Sequence, residues 1–110
     1  MQELMKNKVK AMLNLRDEKI KQGEQAMEVY VHEIGWLVLL LEDVEVVTDN
    51  WFTSNRYIKS DILSDDEGVS VTIKNVYVKN KASVHTESNP KYNLMFDKIM
   101  LFSDQIIACL

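Results

Sequence analysis

The sequence predicts a mainly β (α+β) fold: an N-terminal helix, then a small, strongly bent antiparallel barrel of five strands. Three observations predict it. Residues 2–22 repeat apolar side chains near the 3.6-residue period of a helix face. From residue 44 onward, β-rich runs alternate with polar turns. No helical stretch separates those runs, which argues against the crossovers of a parallel sheet. The chain of 110 residues reads as one domain, residues 1–22 helical and residues 36–110 the barrel.

In the helix, Met5, Val9, Met12, Leu13 and Ile20 form the apolar stripe, and Lys6, Lys10, Asp17 and Lys21 fall on other faces. Gly23, just after Lys19 and Lys21, is the expected stop. Residues 26–43 fit two patterns. Met27, Tyr30, Val31, Ile34, Leu37, Val38 and Leu41 make a helical stripe, whereas Met27, Val29 and Val31 alternate as in a strand and Gly35 breaks the run. The β-rich composition of Trp36–Val47 favours a strand over 36–48, and residues 26–34 lean the same way.

Thr48-Asp49-Asn50 is a turn signal, and Trp51–Leu63 follows as a strand. Residues 64–68 form a polar turn ending in Gly68, and Val69–Val78 alternates as the next strand. Residues 79–90 are a polar loop that holds the one Pro. Tyr92–Phe102 is another apolar-rich strand, Ser103-Asp104 a tight connection, and Gln105–Leu110 a short closing strand.

Composition limits the function classes. At 46% hydrophobic residues the chain has enough apolar material for a core, which excludes a disordered segment. One Cys and two His are too few for an intrachain disulfide or a thiolate zinc site, so no metal and no cofactor are expected. The longest apolar run, Trp36–Leu41, is far short of the roughly 18–20 residues of a membrane span. The first residues lack a signal-peptide pattern, and the expected location is cytoplasmic, without a membrane partner. The net charge is −4, but it is unevenly spread: residues 1–22 carry net +3, 23–50 net −7, 51–70 net −2 and 71–110 net +2. A basic end beside an acidic block can attract a second copy of the chain.

Two stretches carry a family resemblance. Asp66-Glu67-Gly68-Val69-Ser70-Val71-Thr72-Ile73-Lys74-Asn75-Val76 resembles the first motif of Sm/LSm proteins, and Leu101-Phe102-Ser103-Asp104-Gln105-Ile106-Ile107-Ala108-Cys109 resembles the second. The family's motif Asn is Ser70 here, its Arg-Gly pair is Phe102-Ser103, and the Gly usual in the strand before Asp66 is absent. The resemblance covers residues 44–110. It implies an Sm/SH3-like barrel, assembly into a ring, and a single-stranded RNA site near the ring pore at Ser70, Phe102 and Ser103. On that reading, residues 69–78 or 92–102 pair with residues 105–110 of a neighbouring subunit.

Residue chemistry adds to this picture. Lys74, Lys79 and Lys81 give a basic stretch for a phosphate backbone, and Tyr77, Lys79 and Lys81 share a face if alternation holds. Phe102 can stack a base, but its alternation with Met100 and Leu101 fits a core position better. Trp51, Phe52 and Tyr57 fit a barrel core or an interface anchor. His32 with Glu28 and Glu33, His85 in the polar loop, and the Asp65-Asp66-Glu67 turn all read as solvated surface. Cys109 reads as a small hydrophobe. No pair of groups is placed for acid–base or nucleophilic work, so no enzyme is expected. The expected function is a non-enzymatic, homo-oligomeric binding module for single-stranded RNA. The alternative is a protein-interaction or structural module, using the acidic 24–50 region or the Met-rich helix.

Overall fold

The computed structural model describes residues 2–47, 54–79 and 92–110. Helix α1 runs over Gln2–Lys21. Val9 and Met12, one turn apart, are buried, and Leu13 and Leu15 pack partly against the core. Ile20, expected in the same stripe, is 47% exposed. Gly23 ends the helix at φ +76°. Its N–H bonds Ile20 O at 3.1 Å and the Glu24 N–H bonds Lys19 O at 3.0 Å, the paired bonds of a Schellman cap.

Eight strand segments follow: β1 (Ala26–Val31), β2 (Gly35–Leu40), β3 (Val44–Val47), β4 (Ser54–Tyr57), β5 (Asp61–Ser64), β6 (Ser70–Lys79), β7 (Tyr92–Phe102) and β8 (Ile106–Cys109). All pairings are antiparallel. The main path is β8-β1-β2-β6-β7, a strongly curled five-strand half-barrel. β5 lies beside the first half of β6, on the edge that β2 occupies further along, and β3 and β4 form a separate hairpin. The sheet therefore begins at Ala26 rather than at residue 36. Val31 pairs with Gly35 across a three-residue turn, with Glu33 at φ 68° and Gly35 at φ 101°.

β2 explains why residues 26–43 resist a single pattern. Leu37, Leu39 and Leu41 face the main core with Met12, Val29, Val71, Ile73 and Leu101. Val38 and Leu40 face the opposite side, in a second cluster with Tyr57 and Tyr77. A strand covered on both faces is apolar throughout, so it shows no alternation.

The expected strands 36–48 and 51–63 are each broken. β2 and β6 share only two register pairs, Val38 with Tyr77 and Leu39 with Val76. Beyond them the strands part, and residues 58–60 fill the gap. Ser60 N–H donates to Leu40 O at 2.8 Å, and Ser60 Oγ accepts from Leu40 N at 3.0 Å and donates to Asn75 O at 2.5 Å. Asn75, at φ 59°, donates through Nδ2 to Lys59 O at 3.1 Å. The Tyr77 hydroxyl donates to Ile58 O at 2.9 Å and accepts from Ile58 N at 3.1 Å. These side chains replace the ladder where the sheet bends.

Tyr57 belongs to the core and makes edge-on ring contacts with Tyr77 and Tyr92, at centroid distances of 5.8 and 5.5 Å. Trp51, Phe52 and the turn at residues 48–50 lie outside the described residues. Among the described residues, no helix is long and apolar enough to cross a membrane.

Candidate functional surfaces

The residues nominated from sequence do not form one site. Ser70 and Phe102 are direct cross-strand partners, and Ser103 lies beside them, its N–H donating to Val69 O at 2.9 Å. Lys79 is nine residues further along β6, about 30 Å away at strand rise. There it pairs in register with Tyr92, and its Nζ lies 3.8 Å from Glu28 Oε1. Lys74 sits between, in register with Asp61 on one side and Lys98 on the other. Lys81 lies outside the described residues.

Two expectations are corrected. Phe102 is not a core residue; it is 53% exposed, because inward positions in β7 belong to Leu101 and Ile99. Ser103 cannot meet a base edge, since it is fully buried, and its Oγ has no hydrogen-bond partner. Tyr77 and Lys79 lie on the same side of β6, but Tyr77 is buried in the second core cluster while Lys79 stays exposed.

β5, β6 and β7 instead share one outer face. Ile62, Val71, Ile73 and Leu101 point into the core, so the alternate positions point out. Three outward rows result. Asp61, Lys74 and Lys98 form the first; Leu63, Thr72 and Met100 the second; Ser70 and Phe102 the third. Leu63 is 57% exposed and Met100 56%, comparable with Phe102. The other half of the outer surface, around Val38, Leu40 and Tyr77, is covered by Tyr57 and Val44 of the β3–β4 hairpin. Leu63, Lys98 and Met100 escape sequence reasoning because Ile99-Met100-Leu101-Phe102 is apolar at every position, so alternation does not tell which side is inside.

The two ends of this face differ in charge. Beyond the Ser70–Phe102 row lie Asp65, Asp66, Glu67 and Asp104, all exposed and without a cation among them. Asp65 is tied into the turn, its Oδ1 accepting from Val69 N at 2.9 Å and Ser70 N at 3.3 Å. Desolvation pushes its carboxyl up, but backbone donors of Ser70, Val69 and Gly68 outweigh it and hold the pKa below the ordinary value. The opposite end carries Lys74 and Lys98, with Asp61 completing the row.

β7 pairs only with β6, and β8 only with β1, among the described strands. The sheet path thus ends on β7 and β8, whose outer edges pair with no other described strand. β7 carries only Asp97 and Lys98 as charges, and β8 reads Ile-Ile-Ala-Cys with none. Ile107 is 56% exposed and Leu110 58%. A shallow apolar pocket of about 280 Å³ lies between α1 and β8, lined in part by Ala11, Leu15, Ile107 and Cys109.

Burial pushes the Cys109 thiol up, away from a reactive thiolate. His32 is exposed, 3.7 Å from Glu33 Oε1, and His85 lies outside the described residues. Among the described residues, no group of three or more His, Cys, Asp or Glu is gathered to hold a metal ion. Compared with known proteins, the chain matches no family model, no curated protein and no solved structure.

Proposed function

We propose that the protein is a non-enzymatic assembly module of Sm-like type, whose copies join by pairing the outer edge of β7 with the outer edge of β8. The observation that carries this reading is the nearly uncharged edge, unpaired among the described strands, at each end of one sheet path. Exposed strands normally bear charges, prolines or bulges that block pairing; β8 bears neither charge nor proline, and its irregularity is a one-residue slip at Ile107 against β1. Two different edges make a heterologous contact, which closes a ring or continues as a filament. A five-strand path with an N-terminal helix is the architecture that the Sm resemblance implies, with two of its strands, β1 and β2, lying before the residues 44–110 that carry that resemblance.

The test is mass in solution by light scattering, for the full chain and two edge variants. Leu110 exchanges both backbone bonds with Glu28, at 2.8 and 2.9 Å, so the N–H of the preceding Cys109 points away from β1. Cys109→Pro removes that outward donor, and Ile107→Lys places a charge on the same edge. The expected result is a discrete multimer for the parent chain and smaller species for both variants. A parent chain that stays monomeric, or variants that keep its full mass, would refute the edge reading.

The exposure of Phe102, next to Ser70 and two residues' width from Lys74, favours a second reading, single-stranded RNA stacked on the outer face. The four carboxylates beyond Phe102 count against it, since they repel phosphates. A fluorescent single-stranded RNA whose affinity falls with salt and with Lys74→Glu would support that role; no measurable affinity would end it.

A further inference from the structure

We propose that the bare outer face of β5, β6 and β7 is a two-fold dimer face, and that its occupant is a second copy of this chain. This contact is separate from edge pairing. The argument starts from the order of groups along the strands. The acidic turn with Asp65, Asp66 and Glu67 stands at one end, the apolar Leu63, Met100 and Phe102 in the middle, and Lys74 and Lys98, with the single Asp61, at the other end. Such a face is complementary to itself once reversed. A two-fold axis lying between two stacked sheets, across the strands at the Leu63–Thr72–Met100 row, reverses strand direction in the partner. That row then meets its own copy, apolar on apolar. Lys74 comes over the partner's Ser70, beside the acidic turn, and Lys98 over the partner's Phe102 ring, each contact made twice, while Asp61 faces the partner's Asp65 and offsets part of the attraction.

Other occupants fit less well. A nucleic acid would meet the carboxylate end, and a uniformly acidic or basic partner would match only one end. The chain's own hairpin already covers the adjoining half of the same surface with Tyr57 and Val44, and leaves this half open. The size of the face sets the strength. Three strands at about 4.8 Å and three rows at about 6.8 Å give roughly 15 by 20 Å, well under the ~800 Å² per partner of a standard stable interface. The dimer is therefore concentration-dependent rather than permanent.

The test is a charge-swap pair measured by sedimentation over a range of concentrations. Lys74→Glu with Lys98→Glu makes both ends of the face acidic. Asp66→Lys with Glu67→Lys makes both ends basic and leaves Asp65, which holds the turn, untouched. Each doubly substituted chain should weaken the two-fold step by at least about tenfold, since several attractive pairs become repulsive. A 1:1 mixture should restore it as a heterodimer, which a merely misfolded variant cannot do. The proposal is overturned if the variants associate like the parent chain, or if the mixture stays dissociated. It is also overturned if single-stranded RNA binds the parent and Lys74→Glu/Lys98→Glu abolishes that binding without changing mass. Failure of edge pairing is read separately, because Ile107→Lys leaves this face intact.

Discussion

Replacing Ser60 by Ala tests the corner that bends the sheet. Ser60 is 4% exposed, and its hydroxyl serves two strands at once, accepting from Leu40 N at 3.0 Å and donating to Asn75 O at 2.5 Å. Alanine fits the space but leaves a buried N–H and a buried C=O without these partners. An orphaned buried group costs about 1–3 kcal/mol, and one of this pair is a backbone donor. Taking about 2–3 kcal/mol in all, and about 2.1 cal/mol/K per residue of unfolding entropy, the melting temperature of a chain this size should fall by roughly 8–13 °C. Urea titration should give the same loss with an unchanged slope, because the surface exposed on unfolding is the same. Ser64→Ala, on an exposed position of β5, is the control and should stay within about 0.5 kcal/mol of the parent. A loss at Ser60→Ala below about 1 kcal/mol would mean that the hydroxyl does not hold the bend, and the account of the β2–β6 gap would be wrong.

Three further outcomes follow from the same structure. Tyr77→Phe removes both bonds to Ile58 but keeps the ring against Tyr57, so urea unfolding should show a loss of about 1–2 kcal/mol without a change of fold. The Asp65 carboxyl is held below its ordinary value of 3.8, so its contribution is complete above that pH and disappears as pH falls through the lowered folded-state pKa. The stability difference between the parent and Asp65→Asn should accordingly be largest near neutrality and shrink in that acid window; a difference that does not change with pH would refute the assignment. Burial raises the Cys109 thiol above its ordinary 9.0, so iodoacetamide should label it more slowly at pH 7 than a free thiol peptide, with a rate still climbing past pH 9. Labelling as fast as the peptide would show the thiol to be neither buried nor raised.

Local signals carried much of the fold. Gly23 after two lysines stops α1, and the alternation of Val71 and Ile73 correctly places β6. The β1–β2 hairpin was legible only as a leaning, since β2 is buried on both faces and loses the two-residue period. The break at residues 58–60 was not legible, because Ile58-Lys59-Ser60 has good strand composition and is diverted by bonds to residues 15 to 19 positions away. Asn75 was equally silent: one left-handed residue shifts the phase of β6 and sends Tyr77 to the hairpin side of the sheet, where Tyr57 packs on it. Of the nominated site, Ser70 and Phe102 proved to be neighbours, whereas Lys79 went to the far end of its strand. Sequence distance along an extended strand converts directly into separation, and a basic stretch in such a strand is a line rather than a cluster.

The two proposed contacts differ in symmetry, and this makes their combination informative. Edge pairing joins unlike surfaces, β7 to β8, and so propagates from copy to copy until it closes or keeps growing. The face contact joins like surfaces and stops at two. If both operate, the edge contact sets how many copies make one layer and the face contact pairs layers, so dilution should first halve the mass and only then break the layer apart. That order follows from the sizes of the contacts. The face offers a small apolar centre with solvent-exposed charges at its ends, which salt screens readily. The edge offers backbone donors and acceptors beside a strand with no charge in Ile106–Cys109, which salt hardly affects. Raising ionic strength at fixed protein concentration should therefore remove the halving step and leave the layer. Loss of the layer before the pair would mean that the strength of assembly resides in the face, and that the outer edges of β7 and β8 are merely tolerated.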